Sequence, residues 1–242
     1  MIIKQPNRPV IELRRYSSFL MLFLILMFGI SCSDKPKEKK LDWGSEYKKQ
    51  GLVLVDTKTA NISVDLRYSG NNNFVGKDVY GTLEDAYLQV EALEKLYLAT
   101  SFLKKDFPEY KILIWDAARP RRIQQLLWDV VDIPLSERSK YVANPATGSI
   151  HNYGCAVDLT LTDLNGNPLD MGTDYDNFDE IAHIDEEEKL ISLGLLNSEQ
   201  VRNRKVLRDV MTKAGFNTIT SEWWHFDAFS REETKSRFSI VE

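Results

Sequence analysis

The sequence has few of the residues on which disulfide-stapled scaffolds and nucleic-acid-binding proteins depend. Its two cysteines, Cys32 and Cys155, are too few for a disulfide-rich framework. It carries 31 Lys and Arg against 36 Asp and Glu, a formal net charge of -5, so it lacks the basic excess that neutralises phosphates. It also contains only one long uncharged apolar run, which excludes a multi-span membrane protein. We therefore expect no nucleic acid among its partners.

The composition is otherwise that of an ordinary globular protein. Of the 242 residues, 43% are hydrophobic and 28% are charged, which excludes collagen-like, coiled-coil and wholly disordered chains. The length allows one or two domains and a buried core that needs no disulfide. No internal repeat and no linker interrupts residues 52–230, so we predict a single domain there.

The first 31 residues have the pattern of an export signal. Basic residues precede an uncharged apolar run at residues 19–30. The run is shorter than the roughly 20 residues that a membrane-spanning helix needs. It ends in Gly29-Ile30-Ser31-Cys32, which resembles a bacterial lipoprotein processing site. We predict a lipoprotein-type signal peptide over residues 1–31, with an uncleaved signal anchor or ordinary cleavage as the alternatives.

A lipid on Cys32 would attach the mature protein to a membrane on the exported side. Residues 33–40 contain no large apolar side chain, and such a segment cannot bury enough surface to fold. We predict a flexible tether over residues 32–50 and a single folded domain over residues 51–242. The expected location is the bacterial cell envelope, facing the periplasm. The sequence does not indicate an oligomeric state.

Long helical patterns are interleaved with a few strand patterns, which favours an α+β fold. Helices are predicted over residues 82–107 with Thr82 as N-cap, from Pro120 onward, and over residues 198–214 with Asn197 as N-cap. Strands are predicted at residues 52–55, 111–116 and 155–161, and in the region 218–229. We expect a small antiparallel sheet flanked by helices.

Two short segments contain the residue types that bind a catalytic metal. The chain has only three histidines; His151 is followed by Asp158, and His225 is preceded by Glu222. A catalytic zinc takes three ligands from His, Asp or Glu and keeps one position open for water. His151, Asp158 and His225 would supply the ligands, and Glu222 would remain as the base that takes the proton of the water. Alternatively, Asp158 pairs with an arginine and the histidines are ordinary core or surface residues.

The spacing between Glu222 and His225 makes a structural prediction. On a regular strand, residues three apart point to opposite faces, so these two side chains could not line one site. We therefore predict a bulge or an irregular turn at Glu222-Trp223-Trp224, a feature that is common next to active sites.

Further segments accompany these residues in a fixed order along residues 52–230. They are Asp65-Leu66-Arg67-Tyr68, Asn73-Phe74-Val75-Gly76-Lys77, Trp115-Asp116-Ala117-Ala118-Arg119-Pro120, Met171-Gly172-Thr173-x-x-Asp176 and Glu222-Trp223-Trp224-His225-Phe226. Their order and spacing resemble the zinc D-alanyl-D-alanine dipeptidases of the vancomycin-resistance type. That family lies within a wider group of zinc peptidases, which includes D,D-carboxypeptidases and Hedgehog-like domains.

The resemblance implies a chemical role for the matching residues. It implies that His151, Asp158 and His225 bind one zinc ion per chain. It also implies that Glu222 is the general base and that Arg119 stabilises the tetrahedral intermediate. The always-charged guanidinium and its fork of donors suit that second role.

The resemblance also implies how the substrate is held. Tyr68 and Asp176 match residues that bind the free ammonium of the substrate, and Ser149 matches a residue that lies beside it. From the residues alone, two alternatives stay open: Arg119 could form an ion pair with Asp116, and Asp176 could be a turn residue.

The implied activity is hydrolysis of the D-alanyl-D-alanine dipeptide to two D-alanines in the cell envelope. One alternative is a D,D-carboxypeptidase that cuts peptidoglycan stem peptides. Another is a non-catalytic binding lipoprotein that zinc merely stabilises. Glu222 and Arg119 together argue against this last alternative, because a structural metal site needs neither.

Overall fold

The computed structural model describes residues 41–58 and 60–242. The predicted signal peptide at residues 1–31, the lipid site at Cys32 and the tether residues 32–40 therefore lie outside the described residues. Among the helices within the described ranges, none combines the length and the apolar composition that a membrane crossing requires.

The described residues form helices and short strands in an α+β arrangement, which confirms the predicted fold class. The α-helices are α1 (Trp43–Lys49), α2 (Val90–Asp106), α3 (Arg121–Val130), α4 (Glu187–Ser192), α5 (Ser198–Lys213) and α6 (Arg231–Arg237). The strands are β1 (Val53–Leu54), β2 (Ile62–Val64), β3 (Tyr87–Leu88), β4 (Lys111–Asp116), β5 (Ala156–Thr162), β6 (Asn217–Thr218) and β7 (His225–Asp227). Short 3-10 turns include Ile150–Tyr153 and Glu180–Ala182.

A five-stranded sheet in the order β2-β4-β5-β7-β6 forms the centre of the fold, and β1 pairs with β3 separately. Strands β4, β5, β7 and β6 are antiparallel neighbours, as predicted. Strand β2, however, runs parallel to β4, so the prediction of an antiparallel sheet is wrong for this pair. The reason is the long connection between them, which contains α2 and gives the chain room for the crossover that parallel strands need.

Strand β5 lies in the middle of this sheet and is buried along its whole length. Helices α2 and α5 pack on each other and against β4 and β5. Asp158 is 3% exposed and pairs in register with His225 on β7. Residues that face each other across neighbouring strands point to the same side of a sheet, so the register brings both side chains to one face.

The helix predicted over residues 82–107 begins eight residues later, at Val90. Tyr87 and Leu88 instead form β3 and pair with β1, and the Val55 amide donates to the Ala86 carbonyl. Both β3 residues are buried, so pairing with a distant segment outweighs the helical spacing of the apolar residues before Val90.

The tether predicted over residues 32–50 is wrong for its last part, because α1 lies there and packs against the domain. Asp42 caps the helix by accepting a hydrogen bond from the Ser45 amide. Trp43 and Tyr47 are buried, and the Tyr47 hydroxyl donates to the Ala118 carbonyl at 2.9 Å. Two aromatic side chains one helical turn apart give this segment the apolar surface that residues 33–40 lack.

Other local predictions are confirmed nearly to the residue. Strand β4 spans the predicted residues 111–116. Helix α5 begins after Asn197, whose side chain caps the helix while the Gln200 side chain accepts from the Asn197 amide. The helix ends before Gly215, whose φ of +91° is the left-handed conformation in which a glycine commonly ends a helix.

Candidate metal centre and active site

Three side chains from separate parts of the fold converge as a candidate metal centre. His151 lies in the 3-10 turn Ile150–Tyr153, Asp158 lies on β5, and His225 lies on β7. The His151 Nε2 atom is 3.2 Å from Asp158 Oδ1 and 3.1 Å from His225 Nδ1. His225 Nδ1 is 2.9 Å from the same Asp158 oxygen. All three residues are buried, and their spacing allows them to hold a metal ion together.

The turn that carries His151 is fixed at both ends. Ser149 caps it, with its hydroxyl accepting from the His151 amide at 3.3 Å while the Asn152 side chain accepts from the Ser149 amide. Gly154 ends the turn with a φ of +68°, and a Cβ at this position would collide with the Leu52 side chain. Glycine is therefore needed where the chain passes from His151 into β5.

Each candidate ligand is held by a second partner outside the centre. His151 Nδ1 lies 2.8 Å from the Ala117 carbonyl oxygen, and His225 Nε2 lies 2.9 Å from Asp227 Oδ1. The Tyr175 hydroxyl donates to Asp158 Oδ2 at 2.9 Å. Such partners orient the ligands and select the imidazole tautomer that presents a free nitrogen to a metal.

The charges in the centre favour an ionised aspartate. Burial alone would raise the pKa of Asp158, but the neighbouring His151 and His225 lower it below its usual range. Burial likewise opposes a charge on His225, yet the Asp227 and Asp158 carboxylates raise its pKa well above the usual value. Carboxylate oxygens of Asp158 and Asp227 thus lie on both sides of the His225 ring, and the Asp158 oxygen is placed where a cation could share it with the two imidazoles.

Glu222 reaches this centre through the irregular backbone that its spacing predicted. It lies before a turn at Trp223-Trp224, and regular strand β7 starts only at His225. The Leu159 amide donates to the Trp224 carbonyl, which joins this turn to β5. Burial raises the pKa of Glu222 above its ordinary value.

Arg119 is buried and forms the ion pair that the sequence left open as an alternative. Its Nε and Nη2 atoms donate to Asp116 Oδ2 at 2.9 Å and 2.5 Å, and Nη1 donates to Gln124 Oε1 at 3.0 Å. The same Nη2 atom lies 3.7 Å from Asp158 Oδ2, at the edge of the metal centre. The guanidinium is therefore both a structural partner of Asp116 and a fixed cation beside the candidate ligands.

Asp176 and Tyr68 form a second polar pair. The Tyr68 hydroxyl donates to Asp176 Oδ1, and the Phe74 amide donates to Oδ2, each at 3.2 Å. Asp176 has a φ of +59°, in the left-handed backbone region that residues other than glycine rarely adopt. Burial raises the pKa of this carboxyl to about 8. A negative charge on this carboxyl is therefore unfavourable until a cation pairs with it.

All eight residues singled out from the sequence line one cavity of about 260 Å³. They are Tyr68, Arg119, Ser149, His151, Asp158, Asp176, Glu222 and His225. Sequence reasoning did not find Tyr175, Asp227 or Gln124, which hold the predicted residues in place. Only Asp227 had a usable signal, because it lies two residues after His225 and so on the same face of a strand.

The chain matches a known protein family over most of its length. A family model described as peptidase M15, D-ala-D-ala dipeptidase, matches residues 48–241. A D-alanyl-D-alanine dipeptidase of Escherichia coli is 34% identical over 167 residues, which cover 69% of this chain and 79% of that protein. The protein of that name from Enterococcus faecalis is 28% identical over 205 residues, covering 79% and 98%. This chain therefore belongs to the D-ala-D-ala dipeptidase family of peptidases.

Proposed function

We propose that this chain is a zinc metallopeptidase that hydrolyses the D-alanyl-D-alanine dipeptide to two D-alanines. The observation that carries the proposal is that three convergent metal ligands share one cavity with Glu222, Arg119 and Asp176. The family membership supports the same reaction, since relatives from Escherichia coli and Enterococcus faecalis bear the name of this dipeptidase.

One zinc ion per chain fits the donor atoms of the centre. The three ligand atoms lie 2.9 to 3.2 Å apart. Ligands about 2.0–2.1 Å from a tetrahedral zinc lie about 3.3–3.4 Å from one another, so only a small adjustment separates the two arrangements. Two imidazoles and one carboxylate are also a donor set of catalytic zinc sites. His151, Asp158 and His225 would hold a zinc ion, which would lower the pKa of a bound water to near neutral and would polarise the scissile carbonyl.

Glu222 and Arg119 supply the proton transfer and the charge stabilisation of the reaction. Glu222 accepts the proton of the attacking water on its carboxylate and returns it to the amine of the leaving D-alanine. Its raised pKa improves it as a proton acceptor. Arg119 neutralises the negative charge that develops on the carbonyl oxygen, and a fixed donor in this role contributes about 3–4 kcal/mol. Asp116 and Gln124 keep the guanidinium in place, so it need not reorganise during the reaction.

Asp176 and Tyr68 select substrates that have a free amine. An ammonium group next to Asp176 would supply the counter-ion that this buried carboxylate lacks. An acylated amine would leave it unpaired, and such a penalty discriminates strongly between substrates. Ser149 borders the cavity on the side of His151, where it would lie beside a dipeptide bound there. This arrangement favours a dipeptidase over an enzyme that cuts longer peptides.

A substrate comparison tests the proposed function. The purified, zinc-loaded protein is expected to release D-alanine from the free dipeptide, to lose this activity to a chelator, and to act poorly on the N-acetylated dipeptide. Faster hydrolysis of the acetylated compound would point instead to a D,D-carboxypeptidase of stem peptides. Stoichiometric zinc binding without turnover of either compound would overturn the enzyme proposal and leave a zinc-stabilised binding lipoprotein.

The raised pKa of Asp176 predicts a pH dependence of substrate binding. With a pKa of about 8, the carboxyl is mostly protonated at neutral pH, whereas pairing with an ammonium needs the charged form. The KM for the dipeptide should therefore fall as the pH rises from 6 toward 8, roughly until the substrate amine itself loses its proton. Asp176→Asn should abolish this trend. It should also raise KM about 10- to 100-fold, which corresponds to the loss of one hydrogen bond between charged groups.

Steady-state kinetics across this pH range measure the effect. Asp174→Asn is the matched control, because Asp174 is exposed and lies two residues away on the same segment. An unchanged KM and pH profile in Asp176→Asn would remove Asp176 from ammonium binding.

We also propose that the enzyme is lipid-anchored in the cell envelope through Cys32. The support is the apolar run at residues 19–30 and the cysteine that follows it. Cell fractionation of the full chain and of Cys32→Ser tests this location. Membrane association that survives the substitution would contradict a lipid at Cys32.

A further inference from the structure

The two oxygens of Asp158 have different surroundings. Oδ1 lies within 3.2 Å of both histidine nitrogens of the candidate metal centre. Oδ2 points to the other side, where it accepts the hydroxyl hydrogen bond of Tyr175 at 2.9 Å. A carboxylate with both oxygens free can bind a metal through one or both of them, so whatever occupies Oδ2 decides the coordination mode.

We propose that Tyr175 is a positioning residue for the metal centre: its hydroxyl holds Oδ2 of Asp158, so that the carboxylate presents Oδ1 alone to the metal. The proposal rests on the proposed function in taking zinc as the metal. The phenol is a neutral donor at physiological pH and therefore competes for the oxygen without carrying a charge of its own.

The Tyr175 ring is fixed by its neighbours and cannot easily turn away from Asp158. Its centroid lies 5.9 Å from that of Tyr68, 5.5 Å from that of Trp115 and 5.7 Å from that of Trp224, in tilted or edge-on contacts. Aromatic contacts of this kind stabilise a ring beyond its buried area. The ring is therefore already ordered, and the hydrogen bond of the hydroxyl costs little additional side-chain entropy.

The segment that carries Tyr175 is also clamped at both ends by one buried side chain. Arg204 is 0% exposed, donates from Nε to the Met171 carbonyl at 2.6 Å, and donates from both terminal nitrogens to the Ile181 carbonyl at 3.1 Å. Between these points, Asp176 takes its left-handed conformation and turns toward Tyr68. Two consecutive residues of this segment therefore contact different parts of the cavity: Tyr175 donates to Asp158, and Asp176 accepts from Tyr68.

The other donor near Oδ2 among the described residues cannot replace Tyr175. Arg119 Nη2 lies 3.7 Å from Oδ2, beyond hydrogen-bond distance, and it already donates to Asp116 at 2.5 Å. Losing the Tyr175 hydroxyl would therefore leave Oδ2 without a close donor and free to approach the metal.

The test is the zinc affinity of Tyr175→Phe, measured by competition with a chromophoric chelator. This variant keeps the ring contacts and removes only the hydroxyl. We expect the zinc dissociation constant to rise about 10- to 100-fold, as is usual when a partner of a metal ligand is removed. Tyr97→Phe is the matched control, because the Tyr97 hydroxyl accepts a hydrogen bond from the Asp56 amide and neither residue lines the cavity of the metal centre. The zinc affinity of this variant should equal that of the parent protein.

Two further measurements separate positioning from a general loss of structure. Metal-free Tyr175→Phe should keep the far-UV circular dichroism and the single cooperative unfolding transition of Tyr97→Phe, with a lower midpoint because Oδ2 of the buried Asp158 has lost its donor. The visible spectrum of the cobalt-substituted variant should lose intensity as Asp158 becomes bidentate and the coordination number increases. Equal zinc affinity in Tyr175→Phe and the parent protein, or an unchanged cobalt spectrum, would overturn the inference and leave the proposed function standing. A parent protein that binds no zinc would instead refute the proposed function.

Discussion

Replacing Glu222 with glutamine is expected to lower kcat for the D-alanyl-D-alanine dipeptide about 10²- to 10⁴-fold, the usual range for the loss of a general base. Glutamine has nearly the same shape but cannot accept a proton from the attacking water. The three candidate ligands remain untouched, so the zinc content should stay at one ion per chain. Kinetics and metal analysis on the same preparation measure both quantities.

The matched control for this variant is Glu188→Gln, on the exposed surface of α4. It removes the same charge at a distance from the cavity, and its kcat should equal that of the parent protein. Full activity in Glu222→Gln would exclude Glu222 as the base, and loss of zinc in that variant would show that Glu222 supports the metal instead.

Replacing Arg119 with lysine is expected to lower kcat about 10²- to 10³-fold, because a lysine retains the charge but not the planar fork of donors that the proposed role at the carbonyl oxygen requires. The KM should change much less, since the developing charge exists only in the transition state. Steady-state kinetics resolve the two constants.

Stability must be measured alongside, because Arg119 also neutralises the buried Asp116. Arg121→Lys is the control, since Arg121 lies nearby but pairs with Glu242 at the surface. If Arg119 served only as the partner of Asp116, Arg119→Lys would lower the unfolding temperature and leave kcat unchanged. That result would exclude a catalytic role for Arg119.

The candidate metal ligands could be proposed from the sequence because each lies in a short motif with a recognisable local structure. The pattern from His151 to Asp158 spans a capped turn and the start of a strand, and both elements can be recognised from residue types. The turn before His225 was predicted because Glu222 and His225 could not lie on the same face of a regular strand. Where a short motif fixes the backbone, the side chains that it carries can be placed without knowing the fold.

The remaining features depend on contacts between distant segments, which residue patterns do not reveal. Helix α1 is held by the Ala118 carbonyl, 71 residues from Tyr47, so its sequence alone favoured a tether. The start of α2 was misplaced because β3 pairs with β1. The Tyr175 hydroxyl reaches Asp158, 17 residues earlier in the chain, only once the loop that carries Tyr175 has folded. Propensity is a weak guide wherever such tertiary pairings decide the outcome.

The candidate ligands come from parts of the chain far apart in sequence, and Asp158 and His225 are separated by 67 positions. A metal ion bound by them would act as a reversible cross-link that closes this long loop, and long loops are the costliest to close in an unfolded chain. Because the ion would bind the native state and not the unfolded chain, its free concentration would shift the folding equilibrium. Scarcity of metal in the surroundings would then shorten the lifetime of the enzyme as well as silence it.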